Sequence, residues 1–183
     1  MILASGSPRR QELIQLVTTQ ITIQTKDVIE VIDEGLSPQE NVQNLAKLKA
    51  MAVAKEHPEE LVIGADTVVC FNGEIMGKPK SEEDAKRMLR TLSGKTHEVC
   101  TGVALIKKED KLVETFVETT YVTMKDLTDE EIEYYVRTGE VMDKAGSYAI
   151  QGKGALYVSR IEGDYYNVVG LPVHRLYERL RQL

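Results

Sequence analysis

Chemistry could sit at several places along this chain. The first is Ser5-Gly6-Ser7-Pro8-Arg9-Arg10. Ser followed by Pro starts a helix, and a helix N-terminus carries partial positive charge and free N–H groups. Arg9 and Arg10 in that first turn run against the dipole unless an anion is supplied. A phosphate there would take backbone N–H bonds and bidentate Arg bonds together. The plain alternative is a pair of solvated arginines on a surface helix. Lys49 is the second place. It follows Val42 by seven residues, on one stripe with Leu45, Ala46 and Val53. It either snorkels to the edge of that face or offers an ammonium to a phosphate in a cleft.

The third place is Gly64-Ala65-Asp66-Thr67. An Asp closing an apolar run is expected at the mouth of a strand, where α/β folds often keep catalytic carboxylates. A turn Asp bonding its own backbone would read the same way. Glu30, Asp33 and Glu34 could add a metal-binding carboxylate or be solvated loop charges. Lys78, in Gly77-Lys78-Pro79, is a loop lysine, and Lys95 in Ser93-Gly94-Lys95-Thr96-His97 is another. The last place is Ala145 to Gly154. Its glycines permit close approach of backbone to a ligand, or simply a turn, and Gln151 offers an amide that donates and accepts. His57, His97 and His174 are scattered. No P-loop, nucleophile elbow or Ser-His-Asp set is present. Lys, Arg and Gly near element ends, with isolated carboxylates, suit a polyphosphate and a divalent metal, where positioning and charge neutralisation dominate.

These groups need a scaffold. The pattern predicts a short strand at Ile2–Ala4, a helix from Pro8 and a strand at Ile21–Ile23. A helix opened by a Ser37/Glu40 capping box follows. Leu61–Ala65 reads as one strand, and Val68–Phe71 with Glu74–Met76 as a hairpin around Asn72-Gly73. Ser81 starts another helix, and two long strands follow, Glu98–Ile106 and Leu112–Met124. Thr128 and Glu131 open a further capped helix. Ala155–Ile161 and Tyr165–Val169 read as a last hairpin, before an amphipathic helix carrying Val173, Leu176 and Leu180. The expected fold is α/β, a mixed sheet flanked by helices. No linker is evident, so residues 1–183 read as a single unit, with Lys80–Val141 a candidate second lobe.

Composition narrows the function. The chain of 183 residues carries a formal charge of -6, which disfavours a broad nucleic-acid surface. Any anionic ligand must be held by a local basic cluster. Only two Phe and no Trp are present to stack bases. The two cysteines, Cys70 and Cys100, form no metal or disulfide pattern and fit a reducing compartment. No signal peptide or membrane-spanning run is legible, so a cytoplasmic protein with no membrane partner is expected.

At these motifs the chain resembles the Maf family of nucleotide pyrophosphatases. The matching stretches are ASGSPRR (from Ala4), LAKLKA (from Leu45), GADTVV (from Gly64), GKP (from Gly77), LSGKTH (from Leu92), DKAGSYAIQGKG (from Asp143) and GDYYNVVGLP (from Gly163). The resemblance implies an elongated mixed sheet flanked by helices, related to the inosine triphosphate pyrophosphatases, and leaves room for two lobes around a central cleft. It implies Asp66 as the catalytic carboxylate and proton acceptor. Ser5, Arg9, Arg10, Lys49 and Lys78 would line the phosphate pocket. Glu30 and Asp66 would hold Mg2+ or Mn2+, and Arg9, Thr67 and Gln151 match positions tied to base choice. It also implies a nucleoside triphosphate substrate and a homodimer.

The family has a branch acting on dTTP and UTP and another acting on N7-methyl-GTP, with Gln and Glu respectively at the position of Gln151. A Gln amide matches the N3–H donor and O4 acceptor of uracil or thymine. A carboxylate only accepts, which suits the donors of a methylated guanine. Gln151 therefore points to dTTP and UTP, N7-methyl-GTP being the alternative. A septum inhibitor acting by binding alone is a second class of function.

Overall fold

A computed structural model describes residues 1–183. The chain runs β1 (Ile2–Leu3), α1 (Pro8–Ile14), β2 (Thr22–Ile23), α2 (Pro38–Ala54), β3 (Val62–Phe71), β4 (Glu74–Met76) and α3 (Glu82–Leu92). Then come β5 (Thr96–Lys107), β6 (Leu112–Met124), α4 (Asp129–Arg137), β7 (Val158–Glu162), α5 (Tyr165–Val169) and α6 (Val173–Leu180). Short 3-10 turns at Ala145–Ser147 and Gly152–Leu156 lie between α4 and β7.

The helix starts follow their caps. The Ser37 hydroxyl accepts from the Glu40 amide at 3.2 Å, and the Glu40 carboxylate accepts from the Ser37 amide at 2.8 Å. Thr128 and Glu131 repeat this at 3.2 and 3.0 Å. Helix α1 differs: Ser7 makes no side-chain cap, and its amide instead donates to Ser5 Oγ at 3.3 Å.

The strands form one mixed sheet in the order β2-β1-β3-β5-β6-β7, with β4 paired to β3 beyond the end of β1. Strand β1 is parallel to β2 and β3, and the remaining pairs are antiparallel. The helix-flanked mixed sheet is as expected. Two local expectations are corrected. Val62–Phe71 is a single strand running through Asp66, so Asp66 stands in mid-strand and not at a strand mouth. Tyr165–Val169 is a helix, because the Asp164 carboxylate accepts from the Tyr166 amide at 2.7 Å and caps it. β7 pairs with β6 instead.

Alternation along β3 sends Val62, Gly64, Asp66 and Val68 to one face and Ile63, Ala65, Thr67 and Val69 to the other. Helix α2 covers the first face. It lies unusually close: a Cβ on Gly64 would sit 2.3 Å from Ala46 O, and one on Gly102 would sit 2.4 Å from the Val42 carbonyl. Gly102 is the register partner of Asp66. These two glycines let the helix backbone rest on the sheet, which carries Lys49 down to Asp66.

The opposite face holds two apolar clusters. One gathers α3, α4 and the ends of β3, β5 and β6 around Leu89, Val99, Met124 and Tyr135. The other gathers α1 and α6 around Leu3, Ile14, Leu105 and Leu176. No helix is long and apolar enough to cross a membrane.

Candidate active site

The cleft follows from the sheet edge. β1 pairs with β3 at Val62 and Ile63, while β4 pairs with it at Val69–Phe71. Between them the Gly64–Val68 stretch of β3 has no strand on that edge. Asp66 and Thr67 stand in this gap, one on each face. A cavity of about 370 Å³ opens there, with a polar extension of about 500 Å³ toward the start of α1. Its walls draw on both apolar clusters, Val69 and Tyr148 from one, Ile150 and Val169 from the other. Five basic and three acidic side chains line it, although the whole chain carries -6. The local field therefore favours an anion against the global one.

Lys49 does not snorkel. Its ammonium lies 2.6 Å from Asp66 Oδ1 and 2.8 Å from Glu30 Oε2. Asp66 is 8% exposed, so its charge needs this partner. Glu30 is half-exposed, on the irregular stretch before α2. Strand β3, helix α2 and this loop thus bring Asp66, Lys49 and Glu30 to one point.

Arg10 builds a second cluster. Its Nε donates to Gly170 O at 2.8 Å, Nη2 to Thr67 Oγ1 at 2.8 Å and Nη1 to Ser5 Oγ at 3.3 Å. Thr67 Oγ1 also pairs with Thr101 Oγ1 at 2.9 Å, and Thr101 donates to Asn167 O at 3.0 Å. The guanidinium ties α1, β3 and α5 together. Burial draws it below its ordinary pKa, and the charge of Asp66 opposes that.

Arg9, Lys78 and Gln151 also line the cleft, and none of the three has a side-chain hydrogen bond or ion pair. Arg9 and Lys78 are therefore available to an incoming anion. Other candidates are elsewhere. Asp33 closes a turn by accepting from the Gly35 amide at 2.8 Å, and Glu34 is exposed away from the cleft. Lys95 sits over the Phe71 ring, 5.3 Å from its centroid.

No group of three or more His, Cys, Asp or Glu gathers anywhere. Two carboxylates, Asp66 and Glu30, do converge on the Lys49 ammonium beside the basic end of the cleft. Such a pair fits Mg2+ or Mn2+, since Mg2+ is commonly held by one or two carboxylates plus substrate phosphates.

The family model of Maf-like proteins matches residues 1–183. This chain belongs to the Maf family. It is 54% identical over 181 residues to a Bacillus cytotoxicus protein named dTTP/UTP pyrophosphatase, covering 99% of this chain and 94% of that one. A Bacillus mycoides protein of the same name is 54% identical over 182 residues, covering 100% and 94%. Among solved structures, the Staphylococcus aureus Ham1 protein shares the fold, with a TM-score of 0.58 over 99% of this chain and 97% of that chain, at 18% identity.

Several residues lining the Maf cleft lie in the quoted motifs but carry no site role in the sequence pattern. Asp143 and Lys144 are among them, and so are Val168, Val169 and Gly170 on the far side of Arg10. Tyr148, within the glycine-rich stretch, also forms a wall of the cleft. Its hydroxyl pairs with His97 Nε2 at 2.6 Å, and burial pulls His97 down to about 4. The spacing of LSGKTH and DKAGSYAIQG held no cue for that contact.

Proposed function

We propose that this chain is a pyrophosphatase acting on dTTP and UTP, releasing the monophosphate and pyrophosphate. The observation that carries the reading is the Asp66–Lys49–Glu30 cluster in a locally basic cleft of a Maf protein, whose relatives are named for that activity. Asp66 accepts a proton as water attacks the α-phosphorus, and the bond to the bridging oxygen breaks as pyrophosphate leaves. Arg9 and Lys78 neutralise the phosphates, Lys49 adds its ammonium, and the Ser5–Arg10 network fixes that end of the cleft. A divalent ion held by Glu30 and Asp66 supplies further neutralisation of the triphosphate when bound. Gln151 meets the base edge, with Thr67 and Arg9 nearby.

The test is a pyrophosphate-release assay with magnesium across the nucleoside triphosphates. dTTP and UTP should dominate over CTP, ATP and GTP, because buried polar groups reject a mispaired base strongly. Preference for N7-methyl-GTP would overturn the branch, and no release from any triphosphate would overturn the activity. We also propose that the enzyme works in the cytoplasm as a homodimer, without nucleic acid or membrane. Light scattering in solution tests the dimer.

A further inference from the structure

We infer that Glu140 is a positioning residue for base selection, because its carboxylate holds the main chain just after Gln151. The inference rests on the reading that Gln151 meets the base.

The Gln151 side chain has no partner, so its orientation depends on the backbone that carries it. That backbone is held on both sides. Before Gln151, the Ala149 amide donates to Tyr135 Oη at 3.1 Å, and the Tyr148 hydroxyl pairs with His97 Nε2 at 2.6 Å. After it, the Lys153 amide donates to Glu140 Oε2 at 3.0 Å. The residue between, Gly152, has a φ of +63°, and a Cβ there would stand 2.9 Å from Glu140 Oε2. The carboxylate therefore fills the hollow of this left-handed turn and bonds its far end.

Glu140 is itself anchored. Lys144 Nζ donates to its carbonyl at 2.7 Å, and its amide donates to Thr138 Oγ1 at 3.3 Å. Tyr135 and His97 are buried core side chains, so their loss would disturb packing. Glu140 is only partly buried and is absent from the lining of the cleft. Its carboxylate reaches the nucleotide only through the turn that presents Gln151. Freed from it, the Gly152–Lys153 turn gains conformations, the Gln151 amide is presented over a range of angles, and the distinction between uracil and cytosine narrows.

The experiment compares kcat/KM for UTP and CTP in the wild type, Glu140→Ala, Glu140→Gln and Gln151→Ala. Glu140→Ala should lower the UTP to CTP ratio about tenfold, mainly through a raised KM for UTP, with kcat for UTP within about twofold. Glu140→Gln keeps an acceptor oxygen and should stay within about threefold of wild type. Glu140→Asp withdraws the carboxylate by one methylene and should shift the ratio in the Ala direction, which keeps the test available if the Ala variant does not fold. An unchanged ratio in both the Ala and Asp variants, while Gln151→Ala collapses it, overturns the role of Glu140 alone. An equal loss on both nucleotides, or a Gln variant as poor as Ala, overturns it too. If Gln151→Ala leaves the ratio unchanged, the base reading falls and this inference with it.

Discussion

The two ends of the cleft are built differently. At the end proposed to take the phosphates, Asp66, Lys49 and Arg10 stand on β3, α2 and α1, and every one is bonded to another element. At the end proposed to meet the base, Gln151 stands on a loop, bonded to nothing through its side chain and flanked by main-chain amides that are held. Chemistry needs fixed distances, and regular elements packed on the core supply them. Selection between bases needs an amide presented at one angle, which a braced loop can supply and which can change without disturbing the sheet. Damage at the first end should therefore strike every nucleotide alike, and damage at the second should change the ranking of nucleotides.

The largest effect is expected at Asp66. Asp66→Asn should lower kcat by roughly 100-fold or more, because an amide cannot take a proton from water. The loss should be equal for dTTP and UTP, and nucleotide binding should survive. Residual turnover above about a tenth of wild type would show that Asp66 is not the base.

Much of this end was legible in the sequence. Lys49 on an apolar helical stripe and Asp66 after an apolar run both stood out as candidates. Their meeting was not legible, since it depends on Gly64 and Gly102 letting α2 rest on the sheet. Asp66 was misplaced at a strand mouth because Asp66-Thr67 interrupts the apolar pattern. The structure continues the strand through it, since only one edge of β3 is open there. Tyr165–Val169 was misread because Tyr and Val favour strands. Asp164 caps the segment as a helix, and Asn167 pins it to Val99 O at 2.9 Å. The Arg10 contact with Gly170 spans 160 residues, and no local pattern announces such a pairing. Glu140 precedes the recognisable DKAG stretch, and nothing in the local pattern marks it.

The next effect concerns charge. Lys49→Ala should weaken triphosphate binding by about 1.5–3 kcal/mol, the value of a charge-assisted bond. The deficit should shrink at high salt and be the same for dTTP and UTP. Arg10→Ala should also weaken binding, and in addition lower the melting temperature, because Gly170 O and Thr67 lose a donor. Arg10→Lys should not restore it, since an ammonium cannot reproduce the fork. Unchanged KM and turnover in both Ala variants would sink the phosphate assignment. A base-dependent loss at Lys49 would erase the division between the two ends.

The smallest effect belongs to the base end and is read as stability against pH. His97 is buried behind Tyr148, and burial lowers it from its ordinary 6.5 to about 4. The folded state thus favours the neutral ring, while the unfolded chain takes up a proton near its ordinary value. Between those two values the unfolded state binds more protons, so stability falls as pH falls and is fully present above about 6.5. Tyr148 is pushed upward by burial and does not titrate in that window. Urea unfolding at pH 7 and pH 5 should show the wild type losing about 1–2 kcal/mol more than His97→Gln does over the same interval. The carboxylates that also titrate there are common to both proteins and cancel in the difference. The Gln variant is expected to be less stable at pH 7, so the slopes and not the absolute values carry the test. Equal slopes would mean that His97 is not held neutral by the fold, and that the wall behind Tyr148 is wetter than this packing implies.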